Sequence, residues 1–219
     1  MTEAGTPSSE RTRVRRLPER GAYDRATIDA IVDEALICHL AWITDDGYPR
    51  VIPTIHARVG DTLYVHGSTA SRTLRGIKHG RDVCVEITLL DGLVFARSAF
   101  HHSMNYRSVV VYGHPREVVD PEEKDLAQRA LVDHVARGRA AEARMPTQRE
   151  LDQTTIVAIP LEEVSAKVRT GPPKDDEEDL DLPVWAGVLP LRLVPGEPAA
   201  APDLRGAPTV PAYLTDYRR

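Results

Sequence analysis

The segment Tyr64-Val65-His66-Gly67-Ser68-Thr69-Ala70-Ser71-Arg72 gathers a histidine, a glycine, two serines and an arginine. Its apolar start reads as the end of a strand, and Arg72 falls in the first turn of a helix. A helix N-terminus presents free backbone N–H groups and the positive end of the helix dipole. Serine hydroxyls and a guanidinium fork beside it complete a cradle for a phosphate. Arg75 or Lys78 would add charge from the same helix. The same residues also spell an ordinary N-cap serine followed by surface cations. His66 shares a strand face with Tyr64. An imidazole there is either a hydrogen-bonded barrel residue or a proton donor beside a bound cofactor.

Other cations sit at strand positions. Arg107 and Ser108 open one apolar run, and Lys167 and Arg169 share one face of another. Both patterns suit a solvated strand surface, and both suit an anionic ligand. Trp185 lies in the apolar island Val184–Leu189, as a hydrophobic anchor or as a stacking partner for an aromatic cofactor. His101 and His102 are adjacent, so on a strand they face opposite sides and cannot readily share a metal ion. The chain has no Gly-x-Ser-x-Gly elbow. It has neither a Gly-x-Gly-x-x-Gly nor a Walker loop.

These residues need elements to hold them. The spacing predicts a helix from the N-cap Asp24 to near Cys38, with Ile28, Ile31, Val32, Ala35 and Leu36 on one face. A strand over His39–Thr44, the turn Asp45-Asp46-Gly47 and a returning strand over Val51–Val59 form a hairpin. Pro53 marks an edge, a bulge or a backbone left free for a ligand. A third strand covers Thr62–His66, and a helix of about ten residues ends at Gly80. Val83–Leu90 and Leu93–Arg97 read as a second hairpin around Asp91-Gly92. Strands follow at 107–119, 154–159 and 164–169, with a helix from Pro121 to Gly138. The expected fold is mainly antiparallel β with flanking helices, closed as a barrel.

Composition narrows the class. The 219 residues are 42% hydrophobic and 28% charged, with a net charge of −5. That balance argues against a general nucleic-acid binder. No apolar run reaches transmembrane length, and no secretory leader is readable. Two separated cysteines support neither a disulfide scaffold nor a zinc ribbon. The expectation is a cytoplasmic protein with reduced thiols, one domain over 21–193, and a flexible lead-in over 1–20. Nine of the 17 prolines follow Thr170, so an acidic loop over about 171–183 and an irregular tail over 194–219 are expected.

Taken in order, these segments resemble the flavin-binding split-barrel proteins related to pyridoxamine 5′-phosphate oxidase, in the branch that includes nitroimidazole-resistance proteins. The matching pieces are Tyr23-Asp24, Val51-Ile52-Pro53-Thr54, His66-Gly67-Ser68 with Ser71-Arg72, Thr88–Leu93, His101–Ser108, Lys167-Val168-Arg169 and Trp185–Val188. The resemblance implies an antiparallel FMN-binding split β-barrel and a homodimer with the flavin at the interface. It implies that Val51, Ile52, Pro53 and Thr54 run along the isoalloxazine. Ser68, Ser71, Arg72 and Lys78 would face the phosphate, with Gly67 at the turn and His66 near the flavin. Arg107, Ser108, Lys167, Arg169 and Trp185 are further cofactor candidates, the last three approaching from the second subunit.

The function expected is an FMN-dependent oxidoreductase acting on a small organic molecule, by nitroaromatic or quinone reduction or by amine oxidation, with His66 as proton donor. Two alternatives stand beside it: a non-catalytic flavin-binding protein, and a haem-binding or haem-handling protein on the same barrel. A deazaflavin co-substrate is a further alternative to FMN.

Overall fold

The computed structural model describes residues 5–206 and 208–217. The chain order begins β1 (Gly21–Ala22), α1 (Arg25–Glu34), β2 (Cys38–Ile43), β3 (Pro49–Thr54), β4 (His56–Val59), β5 (Thr62–Ser68) and α2 (Arg72–Ile77). It continues β6 (Val83–Phe95), β7 (Ser103–Gly113), β8 (Arg116–Glu117), α3 (Pro121–Val135), α4 (Arg139–Glu142) and α5 (Gln148–Asp152). It ends β9 (Thr154–Pro160), β10 (Glu163–Arg169), β11 (Gly187–Pro190) and α6 (Ala212–Thr215).

The strands form two antiparallel sheets. One is seven-stranded, in the order β1-β10-β7-β6-β2-β3, with β11 also on β6; the other is four-stranded, β4-β5-β9-β8. This is the split-barrel arrangement, mainly β with helices packed on it. Alternation along β6 puts Val83, Val85 and Ile87 inside, where they meet Leu40 and Trp42 of β2 and Leu63 and Val65 of β5. Ile28, Ile31 and Val32 of α1 close that core. Strand β9 is buried from Thr155 to Ile159 because both its faces are covered. One face meets the barrel core. The other meets a smaller cluster containing Tyr64, Val118 and Ala127.

Local chemistry sets several boundaries. Asp24 caps α1, its carboxylate accepting from the Thr27 N–H at 2.9 Å. The helix stops at Glu34, short of Cys38, because Ala35 turns extended to feed β2. Pro53 lies on β3, which is the edge strand. The run Val51–Val59 is two strands: the chain leaves the first sheet at Thr54 and enters the second at His56. Asp91-Gly92 is a bulge, not a hairpin turn. Strand β6 runs straight through it for 13 residues, with its register on β7 shifted between Leu90 and Gly92. A Cβ at Gly92 would lie 3.0 Å from the Leu189 carbonyl oxygen, so the glycine serves the close approach of β11. The helix after Ser71 has six residues rather than about ten. The expected strand over 107–119 divides into β7 and the short β8 of the other sheet.

Described residues near both ends of the chain touch the body. Within the expected lead-in 1–20, residues 1–4 lie outside the described ones. Thr12 is 2% exposed. Arg11 pairs with Asp82 at 2.8 Å and with Glu163. The tail 194–219, of which 207, 218 and 219 lie outside the described residues, is mostly irregular. It docks through Tyr213, which donates to Glu142 at 2.6 Å, and Tyr217, which donates to the Val135 carbonyl at 2.9 Å. No helix among the described residues is long and apolar enough to cross a membrane.

Leu40 is fully buried where β2, α1 and the second sheet meet. Leu40→Ala should lower unfolding stability by about 2–5 kcal/mol, measured by urea denaturation. A loss below about 1 kcal/mol would mean that the site collapses around the missing atoms.

Candidate functional site

The β2–β3 ribbon ends in the turn Asp45–Gly47, and Gly47 takes the left-handed conformation (φ 82°). Thr44 and Tyr48 close that turn. The Thr44 N–H donates to the Tyr48 carbonyl at 2.9 Å, and the Tyr48 N–H donates to the Thr44 hydroxyl at 3.0 Å. Beyond the turn, alternation puts Arg50 and Ile52 on one face of β3, and Arg50 stands directly across from Trp42.

Helix α2 lies beside that face. Arg81, four residues beyond its end, joins the two parts. Its guanidinium donates to the Gly76 carbonyl at 3.0 Å and the Ile43 carbonyl at 2.7 Å, and it pairs with Asp45. The result is a pocket of about 200 Å³ lined by Trp42, Thr44, Asp45, Arg50, Ile52, Arg72, Thr73, Gly76 and Arg81. Arg50 and Arg72 make no ion pair and no side-chain hydrogen bond among the described residues. Asp45 is matched by Arg81 and the Asp46 carboxylate lies in electrostatic range of Arg50, but three guanidiniums, Arg50, Arg72 and Arg81, line the pocket against the one carboxylate of Asp45, so its lining is net positive. An anionic group such as a phosphate is the ligand these residues suit.

The sequence candidates divide on this geometry. Ile52 and Arg72 meet in the pocket. Val51, Pro53 and Thr54 flank Ile52 on the edge strand, where Val51 is 61% exposed. Gly67 and Ser68 end β5. Ser68 Oγ accepts from the Ala70 N–H at 3.1 Å, and Ser71 Oγ caps α2 by accepting from the Leu74 N–H at 3.4 Å. Both hydroxyls therefore build the turn that presents Arg72.

Others are held elsewhere. Lys78 caps the far end of α2 and pairs with Glu117 at 2.9 Å. Arg107 is clamped between Glu34 and Asp91, whose carboxylates hold its guanidinium more firmly protonated than usual. Ser108 donates to the Lys167 carbonyl, and the Lys167 ammonium donates to the Arg16 carbonyl at 3.0 Å. Arg169 is 7% exposed and binds Asn105 and the carbonyls of Gly171 and Pro172, closing the base of the acidic loop. Trp185 is 69% exposed, against Phe95 with ring centroids 6.0 Å apart. His101 pairs with Asp176 and His102 bonds the Ser98 carbonyl, so the two rings serve separate contacts. Among the described residues no three His, Cys, Asp or Glu side chains converge as a metal set.

Arg50 is the site residue that sequence reasoning passed over. The returning strand expected over Val51–Val59 begins one residue after it, whereas β3 starts at Pro49 and puts Arg50 on the face of Ile52.

His66 lies on β5, two residues before Ser68 on the same face. Its Nδ1 is buried with no hydrogen-bond partner among the described residues. Burial holds its pKa below the ordinary value, because desolvation disfavours the charged imidazolium. A buried nitrogen left unpaired costs about 1–3 kcal/mol, so a bound group offering it a partner would be stabilised.

A larger cleft of about 750 Å³ lies between α1, β4, α3 and the C-terminal segment. Its charges are largely engaged: Asp33 by Arg58, Glu34 by Arg107, and Asp133 by the Ala140 N–H. We place the candidate site in the smaller pocket, because two guanidiniums without an ion pair among the described residues, Arg50 and Arg72, line it, against one, Arg137, in the larger cleft.

Comparison with known proteins supplies the context. The family model described as pyridoxamine 5′-phosphate oxidase matches residues 24–168. The flavocytochrome Anf3 from Azotobacter vinelandii is 36% identical, over 98% of this chain and 99% of its own, with a TM-score of 0.91. The FAD and heme binding protein from Mycobacterium smegmatis is 35% identical, over 90% and 96%, with a TM-score of 0.85. A candidate 5-nitroimidazole antibiotic resistance protein from Bacteroides thetaiotaomicron shares the fold at 21% identity, over 68% and 86%, with a TM-score of 0.58. The search of curated proteins finds no match.

His66 supplies a direct check. Without ligand its imidazole should titrate below 6.5, followed by NMR. In that window the unfolded chain takes up a proton that the folded chain refuses. Stability present above pH 6.5 should therefore fall as pH drops below it. His66→Asn should flatten that part of the profile. An ordinary or raised titration midpoint would place the ring in water or beside a carboxylate.

Proposed function

The chain belongs to the pyridoxamine 5′-phosphate oxidase family, and from that premise we propose that it is a flavin-binding oxidoreductase acting on a small organic molecule. The observation that carries this reading is the pair of unpaired guanidiniums, Arg50 and Arg72, on one pocket beside an exposed edge strand. They suit the phosphate of a flavin nucleotide, FMN being the smallest. Strand β3 leaves its outer backbone groups free to meet the ring, since among the described residues no strand pairs beyond it in the sheet. The flavin supplies hydride or electron transfer when bound, for which nitroaromatics, quinones or amines are the substrate classes.

This chain's own residues then have distinct tasks. Arg50 and Arg72 bind and orient the phosphate. Ile52 shields one side of the pocket from water. His66 holds a proton on its ring and is the proton donor to substrate. Since burial lowers its pKa, a turnover step that needs the imidazolium should speed up as pH falls below 6.5. We place the remaining wall of the site on a second copy, forming a homodimer. Val51, Leu90, Leu189 and Trp185 are large apolar residues left exposed on the seven-stranded sheet and its approach. Cys38 and Cys84 are free thiols, in keeping with a cytoplasmic setting.

A second reading adds haem. The two relatives at 35% and 36% identity are a flavocytochrome and an FAD and heme binding protein. The neutral imidazole is the form that binds a metal; burial disfavours the charged form of His66, and its Nδ1 has no hydrogen-bond partner among the described residues. On this reading His66 would hold the haem iron.

Two experiments separate these readings. Arg72→Ala should weaken FMN about tenfold or more while leaving riboflavin nearly unchanged, since a charge-assisted hydrogen bond contributes about 1.5–3 kcal/mol. Equal losses, by fluorescence titration, would put Arg72 away from the phosphate. His66→Asn should leave the flavin absorbance intact. Slowed turnover with an unchanged chromophore supports the proton donor, and selective loss of haem supports the ligand. A fully active variant with both chromophores refutes both roles.

A further inference from the structure

We infer that the sheet edge formed by β1 and β10 is a docking surface for the acidic turn Glu177–Asp179 of a second copy of this chain; this rests on the homodimer reading above and names two surfaces that meet in it. The edge is basic. The Lys167 ammonium donates to the Arg16 carbonyl at 3.0 Å, and Lys167 stands across from Gly21 in the β1–β10 register. That contact fixes a turn in which Leu17 takes the left-handed conformation (φ 56°), the one such non-glycine residue among those described. A single 3₁₀ turn over Pro18–Arg20 follows. Holding a leucine in that region costs free energy, and the result is that Arg16 and Arg20 flank it. Neither makes an ion pair or a side-chain hydrogen bond among the described residues. Arg20 also repels the guanidinium of Arg169, which is 7% exposed and has no carboxylate partner among those residues. Glu19, exposed, is the one carboxylate of the turn. The fold therefore crowds like charges here and leaves them without a counter-charge.

The complement lies on the same chain, in the loop that follows β10. Its acidic run begins with two anchored residues. The Asp175 carboxylate is buried against Arg97 at 2.9 Å, and Asp176 pairs with His101 at 3.0 Å. Beyond them Glu177, Glu178, Asp179 and Asp181 make no ion pair and no side-chain hydrogen bond among the described residues. Lys174, just before the anchors, is exposed and likewise makes no ion pair among them. The turn is thus held in place while its charges stay unmatched. The segment is also more apolar than a solvated loop: Leu180, Leu182, Val184 and Trp185 are 43%, 44%, 53% and 69% exposed. A small anion would answer only the cations of the basic edge. A protein segment with acids and leucines side by side also answers Leu17, which is 37% exposed between those cations. In a two-fold dimer each copy gives its turn to the other's edge. Exposed ion pairs add little strength each in water, so these set the orientation and rate of association more than its affinity.

The test is sedimentation of the full chain and of charge-reversed variants at about 0.1 M and about 1 M salt, over which the screening length falls from about 10 Å to about 3 Å. The full chain should dimerise, and less tightly at the higher salt. Arg16→Glu with Arg20→Glu should weaken dimerisation about tenfold or more, and so should Glu177→Lys with Glu178→Lys, because like charges then face each other. Mixed together, the two variants should form a heterodimer about as tight as the original, since each edge again meets the opposite charge. A chain carrying both pairs of substitutions should dimerise with itself. Recovery on mixing also shows that both variants fold. Dimers that neither reversal weakens would overturn the inference while leaving the homodimer reading intact. So would two variants, folded by circular dichroism, that do not recover on mixing. Should a reversed chain not fold, Arg16→Gln with Arg20→Gln adds no repulsion and should weaken the dimer about threefold and flatten its salt dependence. An unchanged salt dependence there would overturn the inference. A full chain that stays monomeric would remove the homodimer reading itself, and the docking surface with it.

Discussion

Arg81 is the join on which the candidate site depends. One guanidinium reaches the Gly76 carbonyl in α2, the Ile43 carbonyl at the end of β2, and Asp45 in the turn. Asp45 is 90% exposed at its side chain, so that ion pair adds little in water. The two carbonyl contacts carry more, because a cationic donor makes a stronger hydrogen bond than a neutral one. Through them the helix carrying Arg72 and the strand carrying Arg50 share one pocket. Without the join, two like charges would be free to move apart.

The cations sort into those that hold the fold and those that do not. Arg107 bridges α1 and the β6 bulge, Arg169 closes the acidic loop, and Lys78 ties α2 to β8. Each has lost its freedom to meet a ligand. Arg50 and Arg72 keep theirs, and they face the same space. Two guanidiniums that make no ion pair among the described residues and line one pocket favour a bound anion between them. The buried, unpaired Nδ1 of His66 is a second incomplete group, on the strand whose end forms the turn into α2. It lies across from Ile156 on β9 and is not among the residues lining the Arg50 and Arg72 pocket.

Much of this was legible in the sequence. Asp24 announced its helix, Asp45-Asp46-Gly47 announced the turn, and Pro53 announced the sheet edge. Those signals are local, each depending on the conformational preference of a few neighbouring residues. The errors arose where distant chain decides. Asp91-Gly92 has the composition of a hairpin turn, yet the approach of β11 near Leu189 makes it a bulge in a straight strand. Val51–Val59 has one continuous pattern, yet it divides between two sheets. The contacts of Arg107, Lys167 and Arg169 within the chain, to Glu34, Asp91, Arg16 and Asn105, were not legible because those partners lie far away in sequence. Arg50 was hidden by its plainness: one arginine after a turn has no motif until Arg72 is brought opposite.

The account turns on where an anion sits. A crystal structure of the protein with bound flavin nucleotide would test that most directly. The account requires the phosphate within hydrogen-bonding distance of both Arg50 and Arg72, with the ring along the outer edge of β3. A phosphate found instead in the cleft between α1 and α3, with the Arg50 and Arg72 pocket vacant, would contradict it.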